Sequence, residues 1–365
     1  MSSPLPEPVL IVGTGLVGTS LGLALRRRGV NVMLTDRSPE HLRTATGLGA
    51  GHRYAGEPVG LVVVAVPPDH IGPEITRALA ETPAVVTDVG SVKTAPLRSL
   101  EAAVGGALED AEGTGGGIER YVGGHPMAGS ERSGPLAATP TLFDGRPWAV
   151  TPHATSSPAA TAAVEELARL AGASVVRMSP EEHDEAVART SHLPHLLSVL
   201  VATRLAEAPT EHLSLSGQGV RDVTRVAGGD PALWQQIVTG NAAAVAGLLT
   251  QVRDQLDDLI AAVSTGDRRS LGEILERGVA GTRAIPGKHG GPARPTVSVF
   301  VSVPDHPGEL ARLFADAGAS EVNIEDVHID HDPARETGLV ELVVDEARAE
   351  HLHTALGERG WETHR

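Results

Sequence analysis

The stretch Val9-Leu10-Ile11-Val12-Gly13-Thr14-Gly15-Leu16-Val17-Gly18 decides the fold of the N-terminal part of this chain. Four apolar residues, three of them β-branched, read as a buried strand. Leu16 to Arg28, closed by Gly29, reads as the helix that follows. A G-x-G-x-x-G between strand and helix gains meaning when an acid follows about 20 residues on, and Asp36 ends the next strand at that distance. Gly13 serves the turn, Gly15 lets the backbone approach a pyrophosphate, and Gly18 lets helix and strand pack closely. Leu16 and Val17 open the helix whose N-terminal amides face the phosphates. Asp36 suits ribose hydroxyls and repels a 2′-phosphate, which favours NAD. Arg37 beside it is a residue type that accommodates that phosphate, so NADP stays open.

Working outward, Asn31–Thr35, Leu61–Val66 and Ala84–Thr87 read as further strands, and Val66 counts with the cofactor residues. Continuous apolar runs between helices indicate a parallel sheet covered on both faces, a Rossmann-type α/β domain. Trp148–Thr151 and Ser174–Arg177 add strands around the helix Ala159–Ala171, and Gly105–Gly117 reads as a loop. From Pro180 the pattern is helical, over Glu181 to about Ala206, Ala232–Thr265 and Arg268–Arg283. Ile285–Pro295 is a Pro/Gly/basic linker. Strand, helix, strand, strand, helix and a short last strand then follow at Thr296–Val303, Gly308–Ala317, Glu321–Ile329, Gly338–Val344, Arg348–Arg359 and the C-terminus. This is the ferredoxin-like α+β order. The expected domains are residues 1–179, 180–285 (all-helical) and 296–365, with the linker at 286–295.

Composition narrows the function. The 365 residues carry a formal charge of −16, a poor basis for sequence-independent nucleic-acid binding or docking on an acidic membrane. The absence of cysteine removes disulfides, thiolate zinc sites and cysteine nucleophiles. The chain shows no signal-peptide pattern and no apolar run long enough to span a bilayer, so a cytoplasmic protein is expected.

Several side chains are candidates for chemistry. Asp88-Val89-Gly90-Ser91-Val92-Lys93 leaves the carboxyl end of a strand, where α/β ligands bind. Ser91 and Lys93 there either meet nicotinamide or substrate, or belong to a capped turn. His125, between Gly124 and Pro126 in an expected loop after a short Tyr121–Val122 strand, is a candidate general base. Glu131 either orients a histidine or faces solvent. His183, His192 and His195 lie in one helical stretch, the first opposite the second and the last two about 60° apart, with Pro194 expected to bend it. His183 reads as structural, and the other two are open between structural and functional roles. A histidine-only zinc site lacks a completing ligand spacing, and no metal is expected. Arg225, near Trp234, suits a carboxylate unless a salt bridge to Asp222 or Asp230 neutralises the patch.

The runs GTGLVGTSLGLAL, TDVGSVK, GGHPMAGSERSG, EEHDEAVARTSHLPH and RDVTRVAGGDPALWQQI, in this order, resemble the prephenate/arogenate dehydrogenase family of tyrosine biosynthesis from Val9 to about Arg283. The tail PDHPGELARLFADAGASEVNIEDVHI is similar to an ACT regulatory domain. The resemblance implies NAD-dependent oxidative decarboxylation, with hydride leaving C4 of a cyclohexadienol, its hydroxyl losing a proton and CO2 departing from C1. It makes His125 the base on the 4-hydroxyl, Ser91 the residue positioning that hydroxyl near the nicotinamide, and Arg225 the ligand of the ring carboxylate. His195 falls near the substrate side chain, Glu131 at the pocket mouth and Trp234 as a buttress of Arg225. His183 and His192 take structural or supporting places. It also implies a homodimer through the helical domain and tyrosine as effector near Asp305-His306-Pro307-Gly308 and Asn323. Prephenate and arogenate stay undecided. The competing readings are a β-hydroxyacid dehydrogenase with Lys93 as catalytic lysine, and a nucleotide- and amino-acid-binding sensor.

Overall fold

The computed structural model describes residues 5–108, 117–129, 132–286, 295–331 and 337–365. Strand β1 (Val9–Val12) passes through α1 (Leu16–Arg27) to β2 (Val32–Thr35), then through α2 (Pro39–Gly47) to the short β3 (His52–Arg53). The other half is β4 (Leu61–Val64), α3 (Pro68–Glu81), β5 (Val85–Asp88) and α4 (Thr94–Leu108). All five strands are parallel, in the order β3-β2-β1-β4-β5, so the winding reverses between β1 and β4. Both faces are buried, as the continuous apolar runs require. Val9 and Ile11 join the core with Leu21 and Leu25 of α1, whereas Leu10 and Val12 join the one with Ile71, Ile75 and Leu79 of α3. β3 carries two exposed polar residues and no apolar run, which is why the sequence does not announce it. The helix α4 extends to Leu108, into the stretch expected as loop.

A second sheet contains β6 (Gly123–Pro126), β7 (Pro147–Thr151) and β8 (Ser174–Arg177), with α5 (Pro158–Leu170) between the last two. β6 is antiparallel to β7, β7 parallel to β8, and a parallel bridge between Val86 and Tyr121 ties the segment to β5. His125 therefore stands on a strand, opposite Ala149, and not in the expected loop. Glycine and proline have low strand propensity, but here Gly124 is needed: a Cβ would lie 2.8 Å from the Asp88 carbonyl.

The helical part begins with α6 (Pro180–Val187), opened by a capping box in which Ser179 and Glu182 exchange hydrogen bonds. A π turn, Ala188–His192, leads into α7 (Leu193–Ala206). Its wider turn accommodates Pro194, whose ring would clash with the carbonyl four residues back in a regular helix. Next come α8 (Thr210–Leu213), α9 (Gln218–Arg225), α10 (Pro231–Gly240), α11 (Ala242–Thr265) and α12 (Arg268–Arg283). The expected continuous helix Ala232–Thr265 is interrupted at Asn241, and the charged patch around Arg221 is helix α9.

The last segment is β9 (Thr296–Pro304), α13 (Glu309–Gly318), β10 (Ile324–His331), β11 (Thr337–Asp345), α14 (Glu346–Glu358) and β12 (Glu362–His364). Its antiparallel sheet runs β10-β11-β9-β12 over a core of Val299, Leu313, Leu342, Leu352 and Trp361, the ferredoxin-like arrangement expected. The chain divides into two units, Met1–Asp254 and Gln255–Arg365, a division that falls inside α11. Among the described residues no helix is long and apolar enough to cross a membrane.

Candidate active site

The glycine fingerprint has the geometry a dinucleotide needs. Gly13 has φ +100°, and a side chain there would meet the Ala65 carbonyl, with Val66 beside it. A Cβ on Gly18 would lie 2.0 Å from the Gly13 carbonyl, whereas Gly15 faces open space at the start of α1. Leu16 and Val17, both half-buried, form the first turn there. Asp36 accepts hydrogen bonds from Thr14 N (2.6 Å), Thr14 Oγ1 (2.8 Å) and Ser38 N (2.7 Å), which hold its carboxylate beside the fingerprint. Arg37 is 70% exposed and paired with Glu74 at 3.3 Å, a surface contact of small worth.

At the carboxyl end of β5 the chain builds a buried charged cluster. Lys93 is 1% exposed and pairs with Asp88, which is fully buried; its ammonium also donates to the Gly124 carbonyl at 2.7 Å. Tyr121 donates its hydroxyl to Asp88 (3.0 Å), and burial with this neighbouring carboxylate pushes the phenol well above its ordinary range. Lys93 is therefore enclosed, which favours the turn reading over the ligand-facing one. Its ammonium is consumed in fixing Asp88 and the base of β6. Removing one partner of such a pair costs about 3–5 kcal/mol. The half-buried Ser91 sits in the turn between these two anchors.

On β6, His125 Nδ1 lies 2.8 Å from His183 Nε2, and His183 Nδ1 lies 2.8 Å from Asp184 Oδ1. Asp184 also accepts from Lys93 N (2.8 Å), Thr94 N (2.9 Å) and the Thr94 hydroxyl. Burial, then the neighbouring His183, Lys93 and His192, hold His125 well below the ordinary imidazole value. Burial lowers His183 likewise, against the pull of Asp184. Burial would raise Asp184, but its hydrogen bonds from His183, Thr94 and Lys93 outweigh it and keep the carboxyl ionised.

Asn241 joins this network to the helices, donating to the Asp184 carbonyl (2.7 Å) and lying 3.3 Å from His192 Nδ1. Burial lowers His192 to about 4. His195 is buried and stacks on Trp234, ring centres 3.5 Å apart and planes 7° from parallel. The face of Trp234 is thus taken by His195, and that imidazole is what it buttresses. Arg225 ends α9, exposed, with no ion-pair partner among the described residues. Asp222 is engaged by Gln218 (2.8 Å) and Asp230 caps α10, so neither neutralises it.

Of the expected residues, Glu131 lies outside those described. His183 is more than structural filling, since it contacts the candidate base directly. Sequence pattern does not point to Asp184, Thr94 or Asn241; the adjacent pair His183-Asp184 is the available signal, but adjacent helical residues usually point apart. Of the expected regulatory residues, Gly308 (φ +96°) starts α13, and His306 N donates to the Pro304 carbonyl. Asn323 precedes β10 instead of lying on it, and its amide donates to Glu325.

A doubly wound nucleotide fold, a strand-borne histidine at its carboxyl edge and an unneutralised arginine together define a nucleotide-dependent oxidoreductase. The family model for prephenate dehydrogenase, nucleotide-binding domain, matches residues 21–177, and that for prephenate dehydrogenase, dimerization domain, matches 179–277. The chain belongs to the prephenate dehydrogenase family. It is 38% identical to the probable prephenate dehydrogenase NovF of Streptomyces niveus over 96% of this chain and 98% of that one. The crystal structure of prephenate dehydrogenase from A. aeolicus in complex with hydroxyphenyl propionate and NAD+ superposes with a TM-score of 0.66 at 28% identity, over 75% of this chain and 96% of that one. Synechocystis arogenate dehydrogenase gives 0.61 at 27%, over 75% and 98%.

Proposed function

We propose that this enzyme converts prephenate to 4-hydroxyphenylpyruvate and CO2 with NAD as oxidant, a step of tyrosine biosynthesis. The observation that carries the reading is His125, held through Nδ1 by His183 at the carboxyl edge of the nucleotide fold. The fingerprint fits the cofactor: Gly15 leaves room for a pyrophosphate, α1 offers its amides, and Asp36 is placed for a ribose. Bound NAD supplies the acceptor for the C4 hydride.

The chain's own groups do the rest. His125 Nε2 removes the proton of the 4-hydroxyl as C4 becomes a carbonyl. Ser91, from the turn after β5, orients that hydroxyl. Arg225 binds the ring carboxylate, and His195, stiffened by Trp234, faces the substrate side chain. The C1–carboxylate bond then breaks as CO2 leaves, its electron pair closing the aromatic ring on the phenolate, which regains a proton. The new C4 carbonyl is itself the electron sink. Equimolar NADH and CO2 from prephenate and the purified chain is the test; turnover without CO2 overturns the reading.

The helical part fits a homodimer: α11 exposes Leu256, Ile260 and Val263 along one stripe, and the matched family model is that of a dimerization domain. The C-terminal segment reads as an ACT module that binds tyrosine near Asp305, His306, Pro307, Gly308 and Asn323.

A further inference from the structure

We infer that Asp184 is a positioning residue for this reaction: through His183 it selects which nitrogen of His125 carries the proton, and through Lys93 N and Thr94 N it holds the turn that presents Ser91. The inference rests on His125 as the base, as proposed above.

The argument is one of hydrogen-bond bookkeeping. An ionised carboxylate only accepts. Asp184, 3% exposed, receives donors on both oxygens, and its own carbonyl is fixed by Asn241. The ring nitrogen facing it, His183 Nδ1, must therefore carry the hydrogen. A neutral imidazole has one, so His183 Nε2 is an acceptor and His125 Nδ1 must be its donor. His125 Nε2 is then left with a free lone pair. Reversing the chain would set a bare His183 Nδ1 against the Asp184 carboxylate, lone pair against lone pair between two buried groups.

The same carboxylate caps α4. Its bonds to Lys93 and Thr94 lie two and three residues beyond Ser91, while Asp88 takes the Gly90 N–H (2.9 Å) on the other side. One side chain thus fixes the base and the hydroxyl-orienting serine in a common frame. A plain helix cap would do the second and be indifferent to the first.

Nitrogen-15 NMR of histidine-labelled full-length protein tests this without substrate. The expected spectrum has His125 and His183 each protonated at Nδ1 and bare at Nε2, assigned by their absence in H125N and H183N. His125 protonated at Nε2 in the wild type overturns the inference. In D184N, one end of the carboxamide donates; the expected result is His125 bearing its proton on Nε2, kcat lower by roughly 100- to 10 000-fold, and a nearly unchanged KM for prephenate. A D184N enzyme that keeps the wild-type tautomer and more than half its kcat also overturns it. Where D184N does not fold, the wild-type spectrum decides. The base assignment is judged apart from this, by turnover of H125N.

Discussion

His125 and His183, 58 residues apart in sequence, meet ring to ring at 2.8 Å, so β6 of the second sheet and the first helix of the helical part share one hydrogen-bond chain. Removing the ring on the strand should remove the base and little else. His125→Asn is expected to lower kcat by roughly 10²–10⁴ with a nearly constant KM. Steady-state kinetics check this; retention of more than half the activity would make His125 a structural residue.

Arg225 stands exposed and unneutralised at the end of α9, the condition for an arginine that waits for an anion. Arg225→Ala removes a charge-assisted contact worth about 1.5–3 kcal/mol, so KM should rise roughly 10- to 150-fold while kcat falls less. A collapsed kcat at constant KM would place Arg225 at the reacting centre instead.

The pH dependence has a definite sign. His125 acts in its neutral form, and burial depresses its affinity for protons. kcat/KM should therefore stay level as pH falls through 6.5, the usual imidazole value, and drop only in more acidic solution. Stability follows the same sense: buried neutral histidines such as His192, at about 4, contribute stability that is complete above pH 6.5 and is lost as pH falls toward about 4, where the unfolded chain has already bound its protons. An acid limb centred at or above pH 6.5 would contradict the account.

Much of this was legible in residue order. The parallel sheet, the change to helices at Pro180 and the ferredoxin-like tail all follow from apolar period and turn chemistry, and the structure has them. What was hidden depended on tertiary context. β6 consists of Gly-Gly-His-Pro, which no propensity scale reads as a strand, and pairing with β7 makes it one. The place of Lys93 after β5 suits both a ligand-facing and a turn side chain; its burial against Asp88 is visible only in the fold, where its ammonium also meets the Gly124 carbonyl. Asp184 carries little signal in residue order because its four donors come from residues about 90 positions earlier and from its immediate neighbour.

Regulation is tested by cutting the chain. Shortened after Arg283, the end of α12, the enzyme is expected to keep turnover and lose inhibition by tyrosine, because an effector acts only through a state it binds more tightly. Undiminished sensitivity in the shortened enzyme would place tyrosine at the active site, as a product-like competitor.

The central claim is the reaction itself, and the most direct measurement crosses NAD and NADP with prephenate and arogenate while recording kcat/KM. Asp36, held by Thr14 and Ser38 beside the fingerprint, is expected to make NAD the better oxidant, and prephenate with NAD should give the largest value of the four. A larger value with NADP or with arogenate, or no turnover of prephenate at all, would contradict it.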